Sequence, residues 1–239
     1  MKATGILNTK GCEPYKGDPN GTEVAPGVVG QNHQHVFCAK LDLSIDGDLS
    51  KVVECDTVAD PIGPSNPYGN AFYLKETPLT VEGGRKRDVD KERYWKFQSN
   101  DKTNRMGKPT AYKLEPSAMR AVFHDPAGKT AKRMGFINNH LWVTPFHEEE
   151  RYPAGDFVNT NAFGEGLPKF VEQGRSLEGQ DVVAWHSFGL HHIARLEDWP
   201  VQPCVSCGFK LMPIGFFDRN PVLDLAPNVN EASCHADAL

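Results

Sequence analysis

The run from His33 to Ile45 alternates with a period of two, and it constrains the fold more than any other stretch. Its odd positions, His33, His35, Phe37, Ala39, Leu41, Leu43 and Ile45, make a mainly apolar face; its even positions, Gln34, Val36, Cys38, Lys40, Asp42 and Ser44, make a mainly polar one. Successive side chains of a strand point to opposite faces, so the pattern predicts a strand over 33–45 with one face turned to a core. A second run, Asp181 to Phe188, is apolar over most of its length, as expected of a strand covered on both faces. Long helical periodicity is scarce, and 18 prolines and 22 glycines divide the chain into short segments. Turn signals stand at Asp46-Gly47, Asn66 to Asn70, Gly83-Gly84 and Pro153 to Gly155. The polar stretch from Arg85 to Pro109 reads as an exposed hairpin or loop. The expected class is all-β, a large sandwich.

A net charge of -5 speaks against a nucleic-acid-binding surface. No apolar run approaches the roughly 18 residues of a membrane helix, which speaks against a membrane partner. Met1 to Gly5 lacks the apolar core of a secretory signal, and an intracellular location is the expectation. Six cysteines in 239 residues do not make a disulfide framework. Cys204 and Cys207 form a lone CxxC without a second ligand pair, so they carry no metal or redox assignment.

His33-Gln34-His35 puts two imidazoles on one face of the first strand. A third nitrogen from another strand would complete a compact site for copper, zinc, iron or nickel. The same HxH on a β-strand suits a cupin, but that family usually supplies a glutamate a few residues on, and Val36 to Lys40 contains none. The third ligand must come from far away, and His186, His191 and His192 are the candidates. If the second run stays extended, His192 shares a face with Val182, Ala184, His186, Phe188 and Leu190, and His191 takes the other; a bulge at Gly189 would exchange them. Asp42 and Asp181 fall on the faces opposite these histidines, where they could meet each other and share a hard cation such as calcium.

Longer segments carry a resemblance. They are Asn32 to His35 running into Leu41-Asp42, Leu141 to Thr144, Glu150 to Phe157, Gly179 to Val183, His192 to Pro203, and Gly215 to Pro221. Together they resemble the copper-containing amine oxidases of microbial and fungal type, over nearly the whole chain. The resemblance implies the C-terminal part of a catalytic domain over 1–227, incomplete at its N-terminal side, and a tail over 228–239. It implies Cu(II) on His33, His35 and His192, and a second site for calcium or manganese at Asp42, the Leu43 carbonyl, Asp181 and the Val182 carbonyl. His191 replaces the family's usual threonine, Ala194 its usual proline, and Ser44 an acid that some members place at the second site.

The implied activity is oxidation of a primary amine by O2 and water to an aldehyde, ammonia and hydrogen peroxide, in a homodimer. Its cofactor topaquinone is made from a tyrosine flanked by Asn and Asp or Glu. None of the six tyrosines here has those neighbours. The expectation is a truncated chain, inactive alone, with the cofactor tyrosine and the family's catalytic aspartate upstream of Met1. A non-catalytic metal-binding β-domain and a structural remnant are the other readings.

Overall fold

The computed structural model describes residues 1–47, 49–116, 122–161 and 163–225, so the boundary at 227 and the tail over 228–239 lie outside the described residues. Strands β1 (Lys2–Ile6), β2 (Thr9–Gly11), β3 (Gly21–Ala25) and β4 (Val28–Gln31) open the chain. Next come β5 (His33–Asp42), β6 (Ser50–Ala59), β7 (Phe72–Pro78), β8 (Gly83–Arg85), β9 (Tyr94–Thr103) and β10 (Pro109–Glu115). The last are β11 (Leu141–Pro145), β12 (Val182–His192), β13 (Val201–Ser206) and β14 (Lys210–Ile214). Among the described residues the helices are short turns of three to five residues.

Two sheets form the body, one ordered β5-β12-β11-β8 and the other β14-β10-β9-β6-β7. Their facing sides close on a core that includes Val52, Trp95, Phe97 and Leu114 from one sheet and Val143 and Ala184 from the other. This is the expected all-β sandwich. The outer face of the four-stranded sheet is covered as well: Trp142, Val183 and Trp185 pack under Phe136, Ala154 and Leu167. Cover on both faces explains why β12 is apolar almost throughout. Each of these buried indoles keeps a partner for its N–H: Trp142 donates to the Phe136 carbonyl at 2.7 Å and Trp185 to the Thr144 hydroxyl at 3.2 Å.

Three expectations need correction. The first strand ends at Asp42, not Ile45, because the chain turns at Asp46 (φ 55°) and Gly47. Gly83 and Gly84 are strand residues of β8, paired with Val143 and Trp142. A side chain at Gly84 would collide with that of Asn139, so the glycine serves a close approach, not a turn. The stretch 85–109, read as an exposed loop, contains β9 in the middle of the five-stranded sheet. Trp95, Phe97 and Ser99 are buried there with period two, and the Lys96 ammonium on the other face pairs with Glu76 at 2.6 Å. Charge counted over the whole stretch hid a short inward face.

Candidate metal centre

The site is built on the pairing of β5 with β12. The ladder is antiparallel and unbroken from Val183 opposite Asp42 to His192 opposite His33, passing Gly189 opposite Val36 without a bulge. Paired residues project to the same side, so His33, His35 and His192 share the face turned toward the second sheet. Phe37 and Phe188 sit next on that face, ring centroids 5.6 Å apart. His186 lies deeper, fully buried against Phe188 and Phe209.

The three imidazoles are neighbours: the His33 ring centroid is 4.9 Å from that of His35 and 4.8 Å from that of His192. A metal–nitrogen bond of about 2 Å puts a ring centroid about 3 Å from the ion, and two rings at roughly right angles on it would stand about 4.5–5 Å apart. The spacing fits. The rings meet edge to face, however, and no group of three or more His, Cys, Asp or Glu among the described residues stands in metal-holding geometry. Side-chain rotation moves a lone pair far more easily than a strand moves a ring, so the strand-set spacing is the harder condition to meet.

Hydrogen bonds assign the nitrogens. His33 donates through Nδ1 to the Gln31 carbonyl at 2.9 Å, which leaves its Nε2 with the lone pair. His35 Nε2 is buried with no hydrogen-bond partner. His192 donates through Nε2 to the Asp198 carboxylate at 2.8 Å, which leaves Nδ1 as acceptor. Burial first, then His33 and His192, lowers the pKa of His35 and favours the neutral ring that binds a metal. Arg195 first, then His192, holds Asp198 well below the usual carboxylate range.

His191 pairs with Gln34 on the opposite face, 4.6 Å from the ring of Phe123. His186 donates through Nδ1 to the His140 carbonyl at 2.8 Å in the core, and neither joins the cluster. Asp42 sits opposite Val183 at the last pair of the ladder, and Asp181 lies just before β12 begins at Val182. Leu43 and Val182 flank them in sequence, and the Asp181 carbonyl accepts from Phe146 N at 2.8 Å. Asp198 escaped the sequence reading; its position six residues after His192, in a segment of acids and an arginine, was the available signal.

The β-sandwich gathers three imidazoles at one end of its inner face, a donor set of the kind that suits copper, zinc, iron or nickel. The family model for the copper amine oxidase enzyme domain matches residues 1–232, and the chain belongs to the copper amine oxidase family. It is 46% identical over 226 residues to a histamine oxidase of Arthrobacter globiformis, covering 94% of this chain and 33% of that protein. It is 38% identical to copper amine oxidase 1 of Schizosaccharomyces pombe, covering 96% and 34%. A solved benzylamine oxidase from Hansenula polymorpha superposes with a TM-score of 0.88 at 32% identity, covering 93% of this chain and 35% of that one. The chain thus spans about a third of the length of the relatives it matches. That family implies copper and topaquinone as cofactors. No described helix is long and apolar enough to cross a membrane.

Proposed function

We propose that this chain forms the copper-holding part of a primary-amine oxidase, with His33 and His35 as Nε2 ligands and His192 as the Nδ1 ligand. The observation that carries the reading is the unbroken β5–β12 register, which sets His192 against His33 and turns His191 away. Copper held there would supply redox and Lewis-acid chemistry, and topaquinone in the whole protein would supply an electrophilic carbonyl. The tyrosines of this chain do not fit that second group. Tyr94 and Tyr112 lie in the five-stranded sheet, and Tyr15, Tyr68, Tyr73 and Tyr152 are exposed. No step is therefore assigned to any of them.

The chain's own residues prepare the metal site. The Gln31 carbonyl and the Asp198 carboxylate hold protons on the outer nitrogens of His33 and His192, so the inner nitrogens keep their lone pairs. Phe37 and Phe188 continue the inner face beyond the histidines. Primary amine and O2 as substrates, and a homodimer as the assembly, belong to the same reading of the whole protein. So does calcium or manganese at Asp42, the Leu43 carbonyl, Asp181 and the Val182 carbonyl, supported by the pairing of Asp42 with Val183, two residues from Asp181.

Electron paramagnetic resonance of the 239-residue chain titrated with Cu(II) tests the assignment. One copper with nitrogen hyperfine structure is expected, lost in His33→Ala and His192→Ala and kept in His191→Ala. Loss in His191→Ala with retention in His192→Ala would overturn it. A phenylhydrazine adduct and amine-dependent peroxide from the copper-loaded chain would overturn the exclusion of its tyrosines.

A further inference from the structure

We propose that Asp198 is the positioning residue of the metal centre: its buried carboxylate keeps the proton of His192 on Nε2 and so presents Nδ1 as the metal donor. The inference rests on the copper reading above and names a residue outside the ligand set. His192 stands at the last position of β12, where one strand partner alone cannot fix the ring. Left free, a neutral imidazole would divide its proton between two nitrogens, and only one arrangement leaves the lone pair toward His33.

Asp198 removes that freedom. Its side chain is 2% exposed, and its Oδ2 accepts from His192 Nε2 at 2.8 Å. The same oxygen accepts from Arg195 N at 3.0 Å, and Oδ1 accepts from Arg195 Nη2 at 2.9 Å. Three donors therefore surround a carboxylate that has no acceptor competing with it. A carboxylate offers only acceptors, so the His192 nitrogen facing it must carry the proton.

The position of Asp198 is itself fixed from outside the turn. Ala194 is buried against Leu7 and Val24, its N–H donates to Asn32 Oδ1 at 3.3 Å, and its carbonyl accepts from the Thr22 hydroxyl. Leu7 N then donates to the Pro200 carbonyl at 3.2 Å. These contacts tie both ends of the 194–200 segment to the small sheet β2-β4-β3 and its flanks, and β4 leads directly into His33. The carboxylate and the HxH pair thus share one frame. Arg195 is 60% exposed on its side chain, so its guanidinium steers the carboxylate from the solvent side without filling the core.

Two measurements test this on the intact chain. Nitrogen-15 NMR of the metal-free protein reads the tautomer directly, and His192 is expected with its proton on Nε2. A His192 protonated on Nδ1 in the wild-type chain would overturn the proposal, whatever the variants do. In Asp198→Asn the amide can either accept or donate, so the tautomer should become mixed. Cu(II) affinity, measured by chelator competition, should fall about 10–100-fold with altered hyperfine splitting. Arg195→Ala keeps the carboxylate and should cost less than Asp198→Asn. Unchanged affinity and an unchanged tautomer in Asp198→Asn would refute the role. Absence of copper binding by the wild-type chain would instead sink the copper reading, and the tautomer measurement still decides the role of Asp198.

Discussion

His186 should make the chain lose stability in mild acid. The ring is fully buried between the sheets, with Nδ1 donating to the His140 carbonyl and Nε2 buried without a partner. Burial pushes its pKa from 6.5 down to about 4, against the opposing effect of the bond to His140. The folded state therefore binds fewer protons than the unfolded state between those values, and stability rises with pH across that window. The contribution is fully present above pH 6.5 and is lost as pH falls through about 4. Its size is on the order of 3 kcal/mol.

The assay is urea unfolding of the chain from about pH 7 to about pH 4.5, where a loss of that size lowers the midpoint by about 1–2 M. The informative variant is His186→Asn, which can keep a donor near the His140 carbonyl and cannot titrate. It should be less stable at neutral pH, because ring volume is lost from a packed core. Its stability should also depend much less on pH. A smaller slope will remain from His35, whose pKa is also lowered. Asp18, Glu23, Asp56, Asp88 and Asp198 have lowered values and lose their contributions only below the ordinary carboxylate range near pH 4. An identical slope in wild type and His186→Asn would refute the reasoning.

Two further outcomes follow from buried groups. Arg175 bridges the Glu82 carboxylate, which is 0% exposed, and Glu150 at 7%, both at 2.8 Å. Arg175→Ala strands both charges and should cost about 3–5 kcal/mol in chemical denaturation, against under 1 kcal/mol for Arg219→Ala at an exposed pair. Burial raises the Cys38 thiol to about 12 and the Cys55 thiol to about 11, so their contribution to stability is present below pH 9 and fades as pH climbs through those values. At mild alkaline pH a thiol reagent should label exposed Cys204 quickly, half-buried Cys38 slowly and buried Cys55 only on unfolding; prompt reaction of Cys55 would contradict its burial.

Two neighbouring strands of the four-stranded sheet, β5 at its edge and β12 beside it, were legible because their patterns report their surroundings. β5 alternates, and β12 is apolar on both faces because clusters cover both. β9 was not legible by the same means. Its inward face is only Trp95, Phe97 and Ser99, while Lys96 on the other face is matched by Glu76 from β7, twenty residues away. Pairing of charges across strands is invisible to a window that moves along one of them. The glycines of β8 misled for a related reason: glycine marks turns and close approaches alike, and only Asn139 shows which applies.

At the histidine cluster the sequence supplied the candidates and register chose among them. His191 and His192 are adjacent and chemically identical, so no local feature of the segment ranks them. A slip of β12 by one residue against β5 would exchange their faces and turn Asp181 inward as well. That slip is prevented far from the histidines. Leu41 pairs with Ala184 in the inner core, and Val183 packs on the outer face under the cluster of Trp185 and Leu167. Moving Ala184 off the inner core and Val183 and Trp185 off the outer cluster would break both apolar contacts at once. Eight residues of strand, about 26 Å, separate Ala184 from His192. The histidine that faces His33 is therefore selected by hydrophobic packing at the opposite end of the ladder, and Asp198 then selects which of its nitrogens carries the proton.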